Sequence, residues 1–149
     1  MQEISGDLWD YQGRAVLALT TNGSLSRDHR AILGRGCARQ AGGRFPDLAQ
    51  RLGALLHQHG NHVQELGDGL VSFPVEETAW SLPDPRLIRR SAQELRDLAD
   101  HAGYGLVIVP RPGCGYGGLS WPEVRPLLAD LLDERFLVIH CLGSWEIDP

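Results

Sequence analysis

The stretch that most limits what this chain can fold into is Leu106 to Trp121. Leu106, Val107, Ile108 and Val109 open it, and such an unbroken apolar run predicts a strand buried in a parallel sheet. Ser120-Trp121-Pro122-Glu123 closes it, a Ser-x-x-Glu capping box with Pro just inside a helix start. Between them Gly113, Gly115, Gly117 and Gly118 fall within six residues. Glycine admits positive φ and lets a ligand approach the main chain with no Cβ in the way. A tight turn needs one or two glycines, not four. Strand, bare loop and helix N-terminus together predict an anion site made of main-chain N–H groups, whose usual occupant is a phosphate.

The remaining pattern supplies a sheet around that stretch. Strands are predicted over Gln2 to Ile4, Ala15 to Thr20, Val63 to Leu66, Leu70 to Val75 and Phe136 to His140. The third and fourth flank Gly67-Asp68-Gly69 as a possible hairpin. Thr21-Asn22-Gly23-Ser24 ends the second with turn chemistry. Leu33-Gly34-Arg35-Gly36-Cys37-Ala38 is a second glycine loop leading into a short helix that stops at Gly42-Gly43. Pro46 to His59 keeps Leu48, Leu52, Leu55 and Leu56 on one helical face, with Gly60 as the stop. Asp84-Pro85 starts a helix in which Leu87, Ile88, Ser91, Leu95, Leu98 and Ala102 hold helical spacing until Gly103. Val124, Leu127, Leu128, Leu131 and Leu132 mark the inward face of the last helix.

At 149 residues the chain reads as one domain over 1–149. Strands alternating with helices predict a three-layer α/β/α fold around a mixed, largely parallel sheet. Ligands gather at the carboxyl ends of such strands. Both glycine loops follow predicted strands, so both are expected at the same crevice.

Charge narrows the chemistry. All 14 basic side chains are arginine, which removes a Schiff base, a Walker lysine and a lysine nucleophile. The net charge of −5 argues against general nucleic-acid binding. Arg27, Arg30, Arg35, Arg39 and Arg44 against Asp28 nevertheless make residues 27–44 locally positive, which reads as a solvated face or as local anion attraction around the second glycine loop. No secretion signal or membrane-length apolar run is visible, and the three cysteines are widely spaced. A cytoplasmic protein with no membrane partner is expected.

Several motifs carry two readings each. Gly113 to Gly118 matches G-x-G-x-x-G, which suggests a dinucleotide oxidoreductase. The loop comes late, however, and only Asp133 and Glu134 stand near the distance of a ribose-binding acid. Cys114 is either a nucleophile activated by the helix N-terminus or a small residue permitting close approach. His57, His59 and His62 have a metal-like look but straddle a helix end, where solvated histidines are ordinary; no metal or other cofactor is expected. Asp28-His29, between Asn22 and the Gly34 loop, reads either as a general acid or base beside a bound phosphate or sugar, or as ordinary loop polarity.

Taken in order, these segments resemble the macrodomain family, modules that bind ADP-ribose. Ser5-Gly6-Asp7-Leu8 is similar to the family's Gly-Asp-Leu opening, and implies that Asp7 contacts the adenine amino group with Leu8 beside it. Asn22 with Gly34, Arg35, Gly36 and Cys37 resembles the asparagine and glycine-rich loop that hold the distal ribose. Pro112-Gly113-Cys114-Gly115-Tyr116-Gly117-Gly118-Leu119-Ser120-Trp121 is similar to the diphosphate loop, closest in pattern to the terminal ADP-ribose glycohydrolase branch. The resemblance also implies an adenine-flanking side chain just after the last strand, Leu142 or Trp145.

This chain departs from that branch where its chemistry lies. The branch has a catalytic lysine on the strand matching Leu70 to Val75, where Ser72-Phe73-Pro74 stands, and a catalytic acid in the diphosphate loop, where Gly117 stands. Related macrodomains with phosphatase activity on ADP-ribose 1''-phosphate use other groups, and Asp28 and His29 are the candidates here. The partner implied is ADP-ribose or an ADP-ribosylated macromolecule. Three functions stay open: a lysine-free hydrolase of ADP-ribosyl linkages or of ADP-ribose 1''-phosphate, a non-catalytic reader, and an NAD-dependent oxidoreductase.

Overall fold

The computed structural model describes residues 1–141. Six strands form one sheet: β1 (Gln2–Gly6), β2 (Val16–Asn22), β3 (Glu65–Gly67), β4 (Leu70–Glu76), β5 (Val107–Pro110) and β6 (Phe136–Cys141). A 3-10 turn at Leu8–Tyr11 follows β1, and the helices are α1 (Gly36–Arg44), α2 (Leu48–His59), α3 (Pro85–Ala102) and α4 (Trp121–Leu128). The strand order is β1-β6-β5-β2-β4-β3. All neighbours run parallel except β3, which pairs antiparallel with β4. The expected α/β fold with a mixed, largely parallel sheet is what the chain adopts.

Strand alternation sorts the core into two layers. Leu17, Leu19, Ile108 and Ile139 pack on one face with Cys37 and Ala41 of α1 and Leu48, Leu52 and Leu56 of α2. Their in-between neighbours Ala18, Val107, Val109, Phe136 and Val138 pack on the other, against Ile88, Ala92, Leu95 and Ala99 of α3 and Val124 and Leu128 of α4. Period-two side chains that are apolar on both faces make a central strand read as a continuous apolar run. Each fully buried leucine or phenylalanine contributes about 1.5–3 kcal/mol. Ser91, buried in α3, donates its hydroxyl to the carbonyl of Pro74 at 2.6 Å.

Two helix ends behave as their residues dictate. Asp84 accepts from the Arg86 N–H, with Pro85 in the first turn, and Gly103 closes α3 in the left-handed region. At α4 the expected capping box does not form: the Ser120 hydroxyl bonds the Glu123 carboxylate at 2.9 Å, while the N–H groups of Glu123 and Val124 take the Ser120 carbonyl. The helix also stops at Leu128, short of the expected Leu132, where the N–H groups of Leu131 and Leu132 share the Leu128 carbonyl in a turn.

Topology opens a crevice between β2 and β5. From β2 the chain crosses to one side of the sheet, towards β4; from β5 it crosses to the other, towards β6. Connections that leave in opposite directions part the loops above the strands. The β2–β5 ladder holds only Val16 with Val107 and Leu17 with Ile108, whereas β2 stays paired with β4 to its end. The gap therefore widens at the carboxyl edge.

Candidate functional site

A cleft of about 390 Å³ occupies that crevice. Thr20, Thr21 and Asn22 from the end of β2 form its floor, with Glu76 from the end of β4. Leu33, Gly34 and Arg35 of the β2–α1 loop, Tyr116 and Gly117 of the β5–α4 loop, and Ala79, Trp80 and Ser81 after β4 form its walls. The two glycine loops, remote in sequence, thus line one cavity.

Asn22 organises the first of these loops. It is buried at the strand end, donates from Nδ2 to the Ile32 carbonyl at 2.9 Å and accepts at Oδ1 from the Ser24 N–H at 2.9 Å. Nδ2 makes no second hydrogen bond among the described residues, and a Cβ built on Gly34 would sit 3.8 Å from it. Gly34 and Gly36 both have φ near +70°, which explains why this loop carries glycines. Arg35 is the N-cap of α1 and makes no side-chain cap bond. The first N–H groups of α1, free of intrahelical partners as in any helix, start beside the cleft wall.

The second loop folds on itself. The Cys114 N–H bonds the Arg111 carbonyl at 3.2 Å and the Leu119 N–H bonds the Gly113 carbonyl at 3.0 Å. Among the described residues, no hydrogen bond takes up the N–H groups of Tyr116 or Gly117. Gly113 at φ +73° and Gly118 at φ +83° need glycine for their backbone. Gly117 needs it for space: a Cβ there would lie 2.5 Å from Pro83 Cγ and 2.6 Å from the Gly113 carbonyl oxygen. That position points into the protein, not towards a ligand. Of the first three residues of α4, Pro122 has no N–H and the Glu123 N–H is taken. The helix start beside the cleft is α1 rather than α4, which the sequence reading had favoured.

Formal charge is sparse in the cleft, although Thr20, Thr21, Asn22, Ser81 and Tyr116 line it with neutral polar groups. Among the described residues, Arg35 and Glu76 are the charged side chains that line it. Burial pushes the Glu76 carboxyl above its ordinary range, and the positive charge of Arg35 partly offsets that. Cys37 is fully buried against the Thr20 hydroxyl at 3.5 Å. Burial raises its thiol, so its side chain packs the core while its main chain belongs to the α1 start. Cys114 is half-buried at the foot of its loop, its thiol 3.5 Å from the Pro112 carbonyl.

The other expected residues fall elsewhere. Asp7 stands just past β1, at the same sheet edge but three strands from β2, about 14 Å at ordinary strand spacing. One of its oxygens accepts the Trp9 N–H at 3.0 Å, and Leu8 is buried beneath it. Gly115 and Gly118 are exposed on the second loop. Leu142 and Trp145 lie outside the described residues. Asp28 and His29 do not line the cleft: with Gln50, Ala54, His57 and Gln58 they line a separate depression over α2, where the His29 ring stacks on His57 at 4.1 Å. His29 itself sits at φ +59°, and the Ser26 hydroxyl bonds Asp28 and holds its carboxyl low. His62 pairs with Glu94 at 2.8 Å, and no cluster suited to a metal occurs among the described residues. Sequence reasoning passed over Glu76 and Trp80; the signal for Glu76 was the Glu76-Glu77 pair that closes an apolar strand.

No protein-family model matches the chain, and no curated protein matches it. Solved structures do. The macrodomain of Thermus aquaticus DarG is 18% identical with a TM-score of 0.76, over 93% of this chain and 96% of that one. The macrodomain of Mycobacterium tuberculosis DarG is 22% identical with a TM-score of 0.72, over 93% and 95%. Thermosipho africanus DarTG in complex with ADP-ribose is 19% identical with a TM-score of 0.74, over 95% of this chain and 42% of that one. Likeness at these TM-scores over nearly the whole chain shows the architecture: this chain has the macrodomain fold.

Proposed function

We propose that the cleft binds ADP-ribose or a close derivative. The observation that carries this reading is the convergence of Gly34 and Arg35 with Tyr116 and Gly117 over Asn22, with the Tyr116 and Gly117 N–H groups unpaired among the described residues. Such groups suit an anion whose charge is spread over several oxygens, and Arg35 adds the one cationic side chain. The diphosphate lies along Gly113 to Gly118 and the start of α1, the distal ribose over Asn22 and the Gly34 to Cys37 loop, and the adenine towards Asp7. The likeness to a DarTG structure holding ADP-ribose supports that choice of ligand. Charge-assisted hydrogen bonds contribute about 1.5–3 kcal/mol each, and a few of them, less ordering costs, reach micromolar affinity, about −8 kcal/mol.

Calorimetry with ADP-ribose and NAD tests this directly. ADP-ribose binding more tightly is expected; tighter binding of NAD would favour the oxidoreductase reading and overturn this one. Whether binding leads to turnover separates a hydrolase from a reader. Asp28 and His29 serve a reaction in the cleft only if a substrate extends beyond Gly34 to their separate depression.

A further inference from the structure

We propose that Glu76 is the catalytic base of a lysine-free hydrolysis at the anomeric carbon of a ribose held in the cleft. This rests on the ADP-ribose reading above and goes beyond it in assigning a reaction and the group that performs it.

Position comes first. Pro74 has no N–H for the sheet, and the β2–β4 ladder skips Val75, so that Thr21 pairs with Pro74 and Asn22 with Glu76. The skip sets Glu76 directly beside Asn22, the residue at the foot of the ribose loop. The Glu76 backbone is held from below by Asn61, whose Nδ2 donates to its carbonyl at 3.1 Å. Its carboxylate is half-buried and makes no hydrogen bond among the described residues. A carboxylate on a cavity floor with its lone pairs unspent stands apart here, because the other half-buried acids among the described residues are tied down: Asp84 by the Arg86 N–H, Glu94 by His62 and the Val63 N–H, and Asp133 by Arg135.

Environment agrees with position. Partial burial favours the protonated form and makes Glu76 a better base than a solvated glutamate. Arg35, the charged group that faces it in the cleft, favours the carboxylate and opposes that shift. Glu76 takes a proton from water, and the water oxygen bonds to C1''. The bond from C1'' to the leaving oxygen breaks, its electron pair departing with a phosphate or carboxylate. That oxyanion or bulk solvent then receives the proton from Glu76. No other carboxylate lines the cleft among the described residues, so the reaction suits leaving groups stable as anions rather than alkoxides.

The test uses the whole chain with ADP-ribose 1''-phosphate and an ADP-ribosyl-glutamate peptide as probes. Either being hydrolysed supports the proposal, and the two arms separate phosphate from carboxylate sources. In oxygen-18 water, attack at C1'' leaves the released phosphate unlabelled; labelled phosphate would mean attack at phosphorus and overturn it. Glu76→Gln should lower kcat by about 10²–10⁴-fold, the range of general base catalysis, with the Kd for ADP-ribose changing less than threefold. Glu76→Asp should retain part of the rate. Wild-type rate should rise with pH as the Glu76 carboxylate forms, and that limb should vanish in Glu76→Gln. A Glu76→Gln protein with full rate, no turnover of either probe by a wild type that binds ADP-ribose, or loss confined to Asp28→Ala and His29→Ala would overturn the assignment. Failure of the wild type to bind ADP-ribose at all would instead refute the ligand reading.

Discussion

The Arg35 guanidinium lies 5.3 Å from the centre of the Tyr116 ring, so a residue of the β2–α1 loop reaches across the cleft to a residue of the β5–α4 loop. Both side chains line the cavity. An exposed cation–π contact is worth about 0.5–1 kcal/mol, small for the fold but well placed to hold two glycine loops at a fixed separation. Arg35→Ala should weaken ADP-ribose binding about tenfold or more, since it removes both the contact and the charge, while the Tm stays within about 2 °C of wild type. Calorimetry at two salt concentrations checks this. An affinity that does not change, or that loses none of its salt dependence, would remove Arg35 from the site.

Gly117 makes a poor probe of ligand contact and a good probe of loop packing. Its missing Cβ is occupied by Pro83 and the Gly113 carbonyl, so Gly117→Val should disrupt the loop and lower the Tm together with the affinity. Differential scanning fluorimetry separates this from a purely local block. Lost binding at an unchanged Tm would mean the position faces the ligand after all.

Asp7 offers a cleaner substitution. Asp7→Asn keeps an oxygen to accept the Trp9 N–H but can place an amide N–H where an adenine amino group needs an acceptor. Affinity for ADP-ribose should fall more than affinity for ribose 5-phosphate, with the Tm preserved. Equal losses for both ligands would end the adenine assignment.

Ser91→Ala should cost about 1–3 kcal/mol, because the Pro74 carbonyl loses its buried partner. For a domain of this size that is roughly 2–4 °C in Tm per kcal/mol. Since Pro74 lies where the ladder skips to bring Glu76 beside Asn22, ligand affinity should fall more than the small loss of folded protein explains. Chemical denaturation and calorimetry on the same sample test both halves.

Acid stability should depend on Asp133. Hydrogen bonds from Arg135 bring its carboxyl down to about 2, below the ordinary unfolded value of about 3.9. A depressed acid stabilises the fold above its unfolded pKa and loses that contribution as pH falls through its folded pKa. The wild type should therefore lose stability between about pH 4 and pH 2, and Asp133→Asn should flatten that limb. An identical acid limb in the variant would assign it to other carboxylates.

Local pattern and chain distance divide what could be read from the primary structure. The two-sided apolar strands, the Asp84-Pro85 start and Gly103 stop of α3, and the glycine content of both loops were legible, because propensity, capping and positive φ act within a few residues. From these the α/β class and the shared sheet edge followed by period and connection rules alone. Which helix start faces the cleft, the inward pointing of Gly117, and the placing of Asp28 and His29 over α2 were not legible. Each depends on contacts between residues far apart in the chain, such as Pro83 on Gly117 or His57 on His29. Glu76 shows the division most sharply: its type and its place at a strand end are written in the chain, but only the skipped register against β2 puts a lone carboxylate beside Asn22 on a cavity floor.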